Sequence, residues 1–511
     1  MTQPAASFRD PAGSCCQIDG RILRLLDAVT AAGYEAFLET ASARGLAQAG
    51  KLVSTRRLPG SEAAALRPLP QLQAALARLA SRDAGQCLPP TVYFEHERIW
   101  FPSYPYEWPP EMLWEAGRLT LELARASLSD SYGLKDATPY NVLYRGTEPV
   151  FIDVSSFKPR EPGDPVWRAY GQFVRTFLLP LLVNQHWGIP LGDIFRSRRD
   201  GLLPQEVYRL CGPLERLKPP MLWLVSLPTW LAGKARAQGE RLYGSRTLRD
   251  TRKARFILES LLARLERTLN RLKPASHTDS AWSDYMATHS YEAAAFAAKE
   301  RFIDEGLAQL KPRRVLDVGA NTGHFSLRAA KAGAEVVAID ADPACVGAIW
   351  RQARELPRNL SGNILPLVVD VSRPPPALGW RNRECASFLG RAAGTFDCVM
   401  LLAVIHHLLI NERVPLDEIL GLAAELTSEF LAIEFIAPED EMFRELARGR
   451  EDLHIELTQA AFEAACGEHF EIVRSLALPG TQRRLYWLRK KGVRSPGSGV
   501  GREAAGRTNG R

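Results

Sequence analysis

Two kinds of hydrophobic periodicity follow one another along this chain, and the change divides it. From residue 281 to 491, short β-branched runs recur between stretches of helical spacing, at 314–318, 335–340, 364–370, 396–402 and 429–435. Strands separated by helix-length segments predict a doubly wound α/β sheet. Two more runs, 470–477 and 483–489, flank the Pro-Gly turn of 478–482 and predict a terminal hairpin. The first 230 residues read differently. Strand-like pieces at 21–26, 91–100, 142–144 and 150–154 lie among helical stretches, which predicts an α+β domain.

Between the two lies 234–273, helical in period. Leu258, Leu261, Leu262, Leu265, Leu269 and Leu272 write one apolar stripe. The segment holds 12 Lys/Arg against 4 Asp/Glu, a surplus of 8, so the chain's net charge of +7 is concentrated there. An anionic surface is one expected contact for it, and a solvated linker helix packing its leucines is the other. The expected organisation is therefore a domain over 1–232, a basic helical linker over 233–274, an α/β domain over 275–491 and a disordered tail over 492–511. At 511 residues the chain exceeds what one core can fill.

Composition narrows the class further. Hydrophobic residues at 46% and charged residues at 24% exclude a fibrous or wholly disordered chain. The eight cysteines are scattered, with no Cys-x-x-Cys pair or Cys/His cluster, so neither a disulfide framework nor a metal site is expected. The longest apolar runs, 177–183 and 221–231, fall well short of the ~20 residues that span a bilayer. With no signal-like start, a cytoplasmic location is the expectation.

The sharpest chemical signal is Asp317-Val318-Gly319-Ala320-Asn321-Thr322-Gly323. A strand runs into a glycine turn and a helix start there. Gly319 and Gly323 would let the backbone pass close under a ligand, and the helix beyond offers N–H groups. Asn321 stands where a dinucleotide fingerprint has its second glycine, which argues against a pyrophosphate. Asp340 ends the second strand, where a carboxylate can accept ribose hydroxyls, and Asp370 ends the third. Together with 396–407 and the terminal hairpin, this order resembles a class I S-adenosylmethionine-dependent methyltransferase. The resemblance implies a Rossmann-like, doubly wound seven-stranded sheet. It also implies cofactor roles for Asp317, Gly319, Asn321, Gly323, Asp340 and Asp370. It further implies that a helical segment with Trp282, Tyr285, Tyr291 and Lys299 closes over the sulfonium, where aromatic rings gain cation–π attraction.

For catalysis the fourth strand is followed by His406 and His407, in place of the Asn/Asp-Pro-Pro-Tyr/Phe of many amine methylators. Histidine can take a proton from a hydroxyl acceptor near neutral pH. Glu434, on the fifth strand, is a second acid/base candidate. Packing or capping roles are the alternative for each, because methyl transfer from a sulfonium often needs only alignment.

In the first domain, Asp136-x-x-Pro139-x-Asn141 precedes Asp153 by the spacing of a kinase catalytic loop and its metal-binding carboxylate. The region resembles a degenerate kinase-like fold, with 112–128 as its supporting helix and 103–108 as its hinge. It departs from the pattern at Leu134-Lys135, at Val154-Ser155 and in lacking a glycine-rich loop. A kinase-like loop followed by this methyltransferase is similar to bacterial two-part proteins, some of nodulation type. The expected activity is methyl transfer to a small-molecule or glycan-like acceptor. The alternatives are a binding or scaffold protein, or a bifunctional enzyme with phosphotransferase activity in its first domain.

Overall fold

A computed structural model describes residues 13–80, 91–238, 247–275, 293–357, 363–448 and 457–492. Trp282, Tyr285, Tyr291 and the tail from 493 lie outside the described residues. The chain forms two compact units, Met1–His289 with Gly319–Arg391, and Ser290–Val318 with Ala392–Arg511.

The first unit opens with a hairpin, Gly13–Ile18 (β1) and Arg21–Asp27 (β2). Its turn, Asp19-Gly20, has φ of +48° and +81°, the left-handed pair that matches strand twist. Thr55–Arg57 (β3) and Thr91–His96 (β4) complete an antiparallel sheet ordered β1-β2-β4-β3. Ile18, Leu23, Leu25 and Tyr93 pack there with Leu58 and Leu72. The hydrophobic pattern anticipates β2 and β4. It misses β1, whose Gly-Ser-Cys-Cys-Gln-Ile has little apolar alternation, and β3, which is three residues long.

The helix Pro110–Ala126 starts on a proline, where no N–H is lost from the helical ladder, and buries most of its faces. Tyr132–Leu134 (β5), Val142–Arg145 (β6), Glu148–Phe151 (β7) and Phe157–Pro159 (β8) then make two small pairs, β5 with β8 and β6 with β7. The leucine stripe of 234–273 lies on Thr251–Arg271, which packs against Pro110–Ala126. Leu258, Leu262, Leu265 and Leu269 are buried, and the Trp114 indole N–H donates to the Leu269 carbonyl at 3.0 Å.

The remaining strands are Arg314–Val318 (β9), Glu335–Asp340 (β10), Ile364–Val368 (β11), Phe396–Leu401 (β12), Thr427–Ile436 (β13), Phe470–Ala477 (β14) and Arg483–Lys490 (β15). They form a seven-stranded sheet ordered β11-β10-β9-β12-β13-β15-β14. The pairs β10/β11, β9/β12 and β12/β13 are parallel, whereas β15 is antiparallel to both β13 and β14. This is the Rossmann-like α/β sheet that the sequence predicts, hairpin included. The periodicity does not reveal that β15 inserts between β13 and β14.

Inside the first unit, the segment bearing β10 and β11 is tied to the region around the expected hinge. Arg391 pairs with Glu107, with side chains 5% and 0% exposed, and donates to the Pro102 carbonyl at 2.5 Å. Arg351 pairs with Glu111, and the Ala386 N–H donates to the Tyr104 hydroxyl at 3.1 Å. Gly347 leaves the room Glu111 needs, since a Cβ there would sit 2.6 Å from its carboxylate. Inside the second unit, the helix Ala293–Leu310 lies under Trp487, whose indole a Cβ at Gly306 would overlap.

Candidate active site

The turn after β9 is built by short-range hydrogen bonds within the first unit. Asp340, at the tip of β10, accepts the Asn321 N–H on Oδ2 at 2.8 Å and the Asp342 N–H on Oδ1 at 2.9 Å. Asn321 holds φ of +48° and accepts the Thr322 N–H on its own Oδ1 at 2.6 Å. Gly323, at φ +86°, then opens the helix His324–Lys331. Packing also requires this glycine: an added Cβ would lie 2.9 Å from the Ile349 side chain. Gly319 also sits at positive φ, +67°. Burial pushes the Asp340 carboxyl above the usual range, while the N–H groups of Asp342 and Asn321 oppose that rise. Each carboxylate oxygen keeps a second lone pair for a ligand hydroxyl. Asp370 follows β11 and accepts from the Ser372 N–H and hydroxyl at 2.9 and 2.6 Å. A braced carboxylate beside a left-handed turn fits the ribose and backbone contacts of an adenosyl group.

Asp317 lies in the second unit, buried within β9. His406 and His407 begin the short helix Ile405–Ile410 after β12, with rings 4.1 Å apart. Ala403, just before them, is held at φ +58°, a strained position for a residue with a Cβ. The His406 side chain is buried, and neither of its ring nitrogens has a hydrogen-bond partner among the described residues. Burial chiefly holds it well below the ordinary imidazole range, with His407, Arg483 and Lys299 adding to the effect. Burial lowers His407 too, and its Nδ1 lies 3.4 Å from the Asn411 amide nitrogen. Glu434 is fully buried and accepts from Lys299 Nζ at 2.6 Å. Sequence reading did not foresee this pair, because 135 positions separate its members. A buried lysine in an alanine-rich helix and a glutamate in an apolar strand were the available signals.

Also in the second unit, a cavity of about 1170 Å³ opens near the carboxyl end of β13. Phe435, Arg444, Thr458, Gln459, Gln482 and Arg484 are among its walls. Beside it, Asp440 accepts two hydrogen bonds from Arg483, at 2.8 and 3.0 Å.

The loop in the first domain gathers two of its three expected residues. Asp153 accepts from the Ser155 and Ser156 hydroxyls at 2.5 and 2.6 Å, and Asn141 Nδ2 donates to the same Ser156 hydroxyl at 3.3 Å. Arg24 of β2 stands 3.7 Å from Asp153 and donates to Ser155 at 3.0 Å. Asp136 is apart from them, half exposed, with Lys135 at 3.5 Å. Arg24 was not foreseen; a charged residue inside the apolar run of β2 was the sign. Among the described residues, no group of three or more His, Cys, Asp or Glu could hold a metal ion.

The sheet order, the glycine turn and the carboxylate at the second strand tip define a class. Residues 288–476 match the family model of a methyltransferase domain. The protein is an enzyme, a methyltransferase whose methyl donor is S-adenosylmethionine. More particularly, the chain belongs to the family of nodulation protein NoeA: it is 32% identical over 488 residues to the Rhizobium meliloti (strain 1021) protein of that name, across 94% of this chain and 95% of that one. Similar solved structures include magnesium protoporphyrin IX methyltransferase (ChlM) from Synechocystis PCC 6803 with bound SAH, at 19% identity and TM-score 0.29, covering 41% of this chain and 92% of that one. Another is the N-methyltransferase NodS from Bradyrhizobium japonicum WM9 in complex with S-adenosylhomocysteine, at 12% identity and TM-score 0.29, covering 42% and 100%. No described helix is long and apolar enough to cross a membrane.

Proposed function

We propose that this enzyme methylates a hydroxyl group of a small-molecule or glycan-like acceptor, with His406 as proton acceptor. The observation that carries this reading is the buried His406 ring, neither of whose nitrogens has a hydrogen-bond partner among the described residues. Leaving such a group unsatisfied costs roughly 1–3 kcal/mol, a cost that a bound acceptor hydroxyl would remove. Burial keeps the imidazole neutral at neutral pH, so a ring nitrogen offers its lone pair to the acceptor hydroxyl. The bound cofactor supplies an activated methyl group. When bound it would donate that methyl to the acceptor oxygen, and His406 would take up the hydroxyl proton released. The 319–323 turn, Asp340 and Asp370 would hold the adenosyl group, Asp317 would face its cationic end, and Glu434 would position Lys299. The mixed arginine, amide and hydroxyl walls of the cavity near β13 suit a polar, hydroxyl-rich acceptor.

The test is methyl transfer from labelled cofactor to extract fractions. His406→Ala should lower kcat by ~10²–10⁴-fold while cofactor affinity, read by calorimetry, stays unchanged. Full kcat in a folded His406→Ala variant would remove the base role. In the first domain we read the kinase-like loop as a binding module. Asp153 is already bonded to two serine hydroxyls and faced by Arg24, which disfavours a divalent cation there. A scaffold without turnover is not favoured, given the methyltransferase domain.

A further inference from the structure

Away from the methyltransferase sheet, the first unit carries large apolar side chains in water. Leu214 and Leu217 are 76% and 60% exposed, and Trp223, Trp230 and Leu231 are 48%, 42% and 53% exposed. Leu214 caps and Leu217 ends the turn Glu215–Leu217, and Trp223, Trp230 and Leu231 lie on the helical stretch running through Leu222–Ser226 into Leu227–Gln238, which packs on that turn and on Pro204–Leu210. Scattered single leucines need no explanation, but a grouped set with two tryptophans marks a contact surface. At its margin lies Thr251–Arg271. The Arg264 guanidinium stands 4.9 Å from the Trp223 ring centre. A cavity of about 340 Å³ is lined there by Tyr170, Trp223, Arg264, Arg267 and Arg271. Among the described residues, neither Arg264, Arg267 nor Arg271 is ion-paired with a carboxylate; the helix's Glu259 and Glu266 pair with Arg255 and Arg125.

We propose that this face docks on an anionic lipid bilayer, with Trp223, Trp230 and the exposed leucines at the headgroup boundary and Arg264, Arg267 and Arg271 on lipid phosphates. The charge argument selects the occupant. Arg264, Arg267 and Arg271 lie beside the exposed Trp223, and the leucine stripe of Thr251–Arg271, the alternative means of amphipathic insertion, is already buried in the fold. Tryptophan beside arginine is the pairing that a membrane interface accommodates, with rings at the acyl boundary and cations at phosphate depth. No spanning helix is involved, so attachment is peripheral and reversible. The inference is independent of the methyl acceptor.

The experiment is co-sedimentation of the full chain with vesicles of phosphatidylcholine alone or mixed with phosphatidylglycerol. Binding is expected only to the mixed vesicles, and it should weaken as salt rises. Replacing Arg264, Arg267 and Arg271 together by serine should weaken it about a hundredfold. Leu214→Ser with Leu217→Ser should weaken it independently, and unchanged thermal melts would show both variants folded. Four results would overturn the proposal. One is a folded wild-type chain that stays in the supernatant with mixed vesicles. Another is binding that neither set of substitutions changes. The third is self-association of the chain that the same substitutions abolish, which would make the face a protein interface; competition by inorganic phosphate at equal charge would likewise assign the arginines to a free anion.

Discussion

At the scale of single residues, Asp340 braces the turn through Asn321 and Asp342, and in the proposed site its remaining lone pairs would serve a ribose. Asp340→Ala should therefore cost about 2–4 kcal/mol of S-adenosylmethionine affinity, measured by calorimetry. Asp340→Asn should recover part of it, because the amide oxygen can still accept one N–H. An alanine variant with unchanged affinity would take this carboxylate out of the cofactor site. How much of this was legible depends on range. Asp317, Gly319, Gly323 and Asp340 are close in sequence, and their spacing alone reveals a strand–turn–helix. Arg24 beside Asp153, Lys299 beside Glu434 and the orphaned ring of His406 are products of tertiary packing. No local period encodes them.

At the scale of elements, the strands were more legible than the connections between them. Strands such as β10 and β12 are continuous apolar runs because both faces are buried, and such runs announce themselves. The expected hinge at 103–108 was harder to read. Its tyrosines and Glu107 serve as an anchor for Phe388–Ala392 and the residues before it. Burial pushes the Glu107 carboxyl above its ordinary range, and Arg391 draws it back. Removing one member of so enclosed a pair leaves a charge without compensation. Arg391→Ala should lower stability by about 3–5 kcal/mol in urea melts, whereas Arg391→Met with Glu107→Gln should lose much less. A fragment starting at 275 would expose Arg351 and Arg391 without Glu111 and Glu107. The fragment's solubility is the direct measure of whether the domain boundary expected there is one of independent folding.

At the scale of the whole molecule, two buried histidines set the acid limit. Burial holds His96 at about 4, against an ordinary value near 6.5, and holds His406 well below that value as well. Both stay neutral in the folded chain under conditions that protonate them once it unfolds. The unfolded state then binds more protons, so stability falls as pH drops below 6.5 and, for His96, levels off near 4. His96 alone should account for ~3 kcal/mol between those limits. Urea midpoints across that range would show it, and His96→Gln should flatten the slope. A wild-type midpoint that rises on acidification would contradict the assignment.

The position of β15 has a consequence for how the chain is made. On the ribosome β13 emerges some fifty residues before its neighbour, and its outer edge must wait until Lys490 has been synthesised. Meanwhile β14 has no partner of its own except that same late strand, to which Leu485, Tyr486, Trp487 and Leu488 bring the buried side chains. The sheet therefore cannot close progressively from its amino end. Its last strand is a keystone, and a nascent chain interrupted within the final hairpin would present an unpaired hydrophobic edge to its neighbours in the cell.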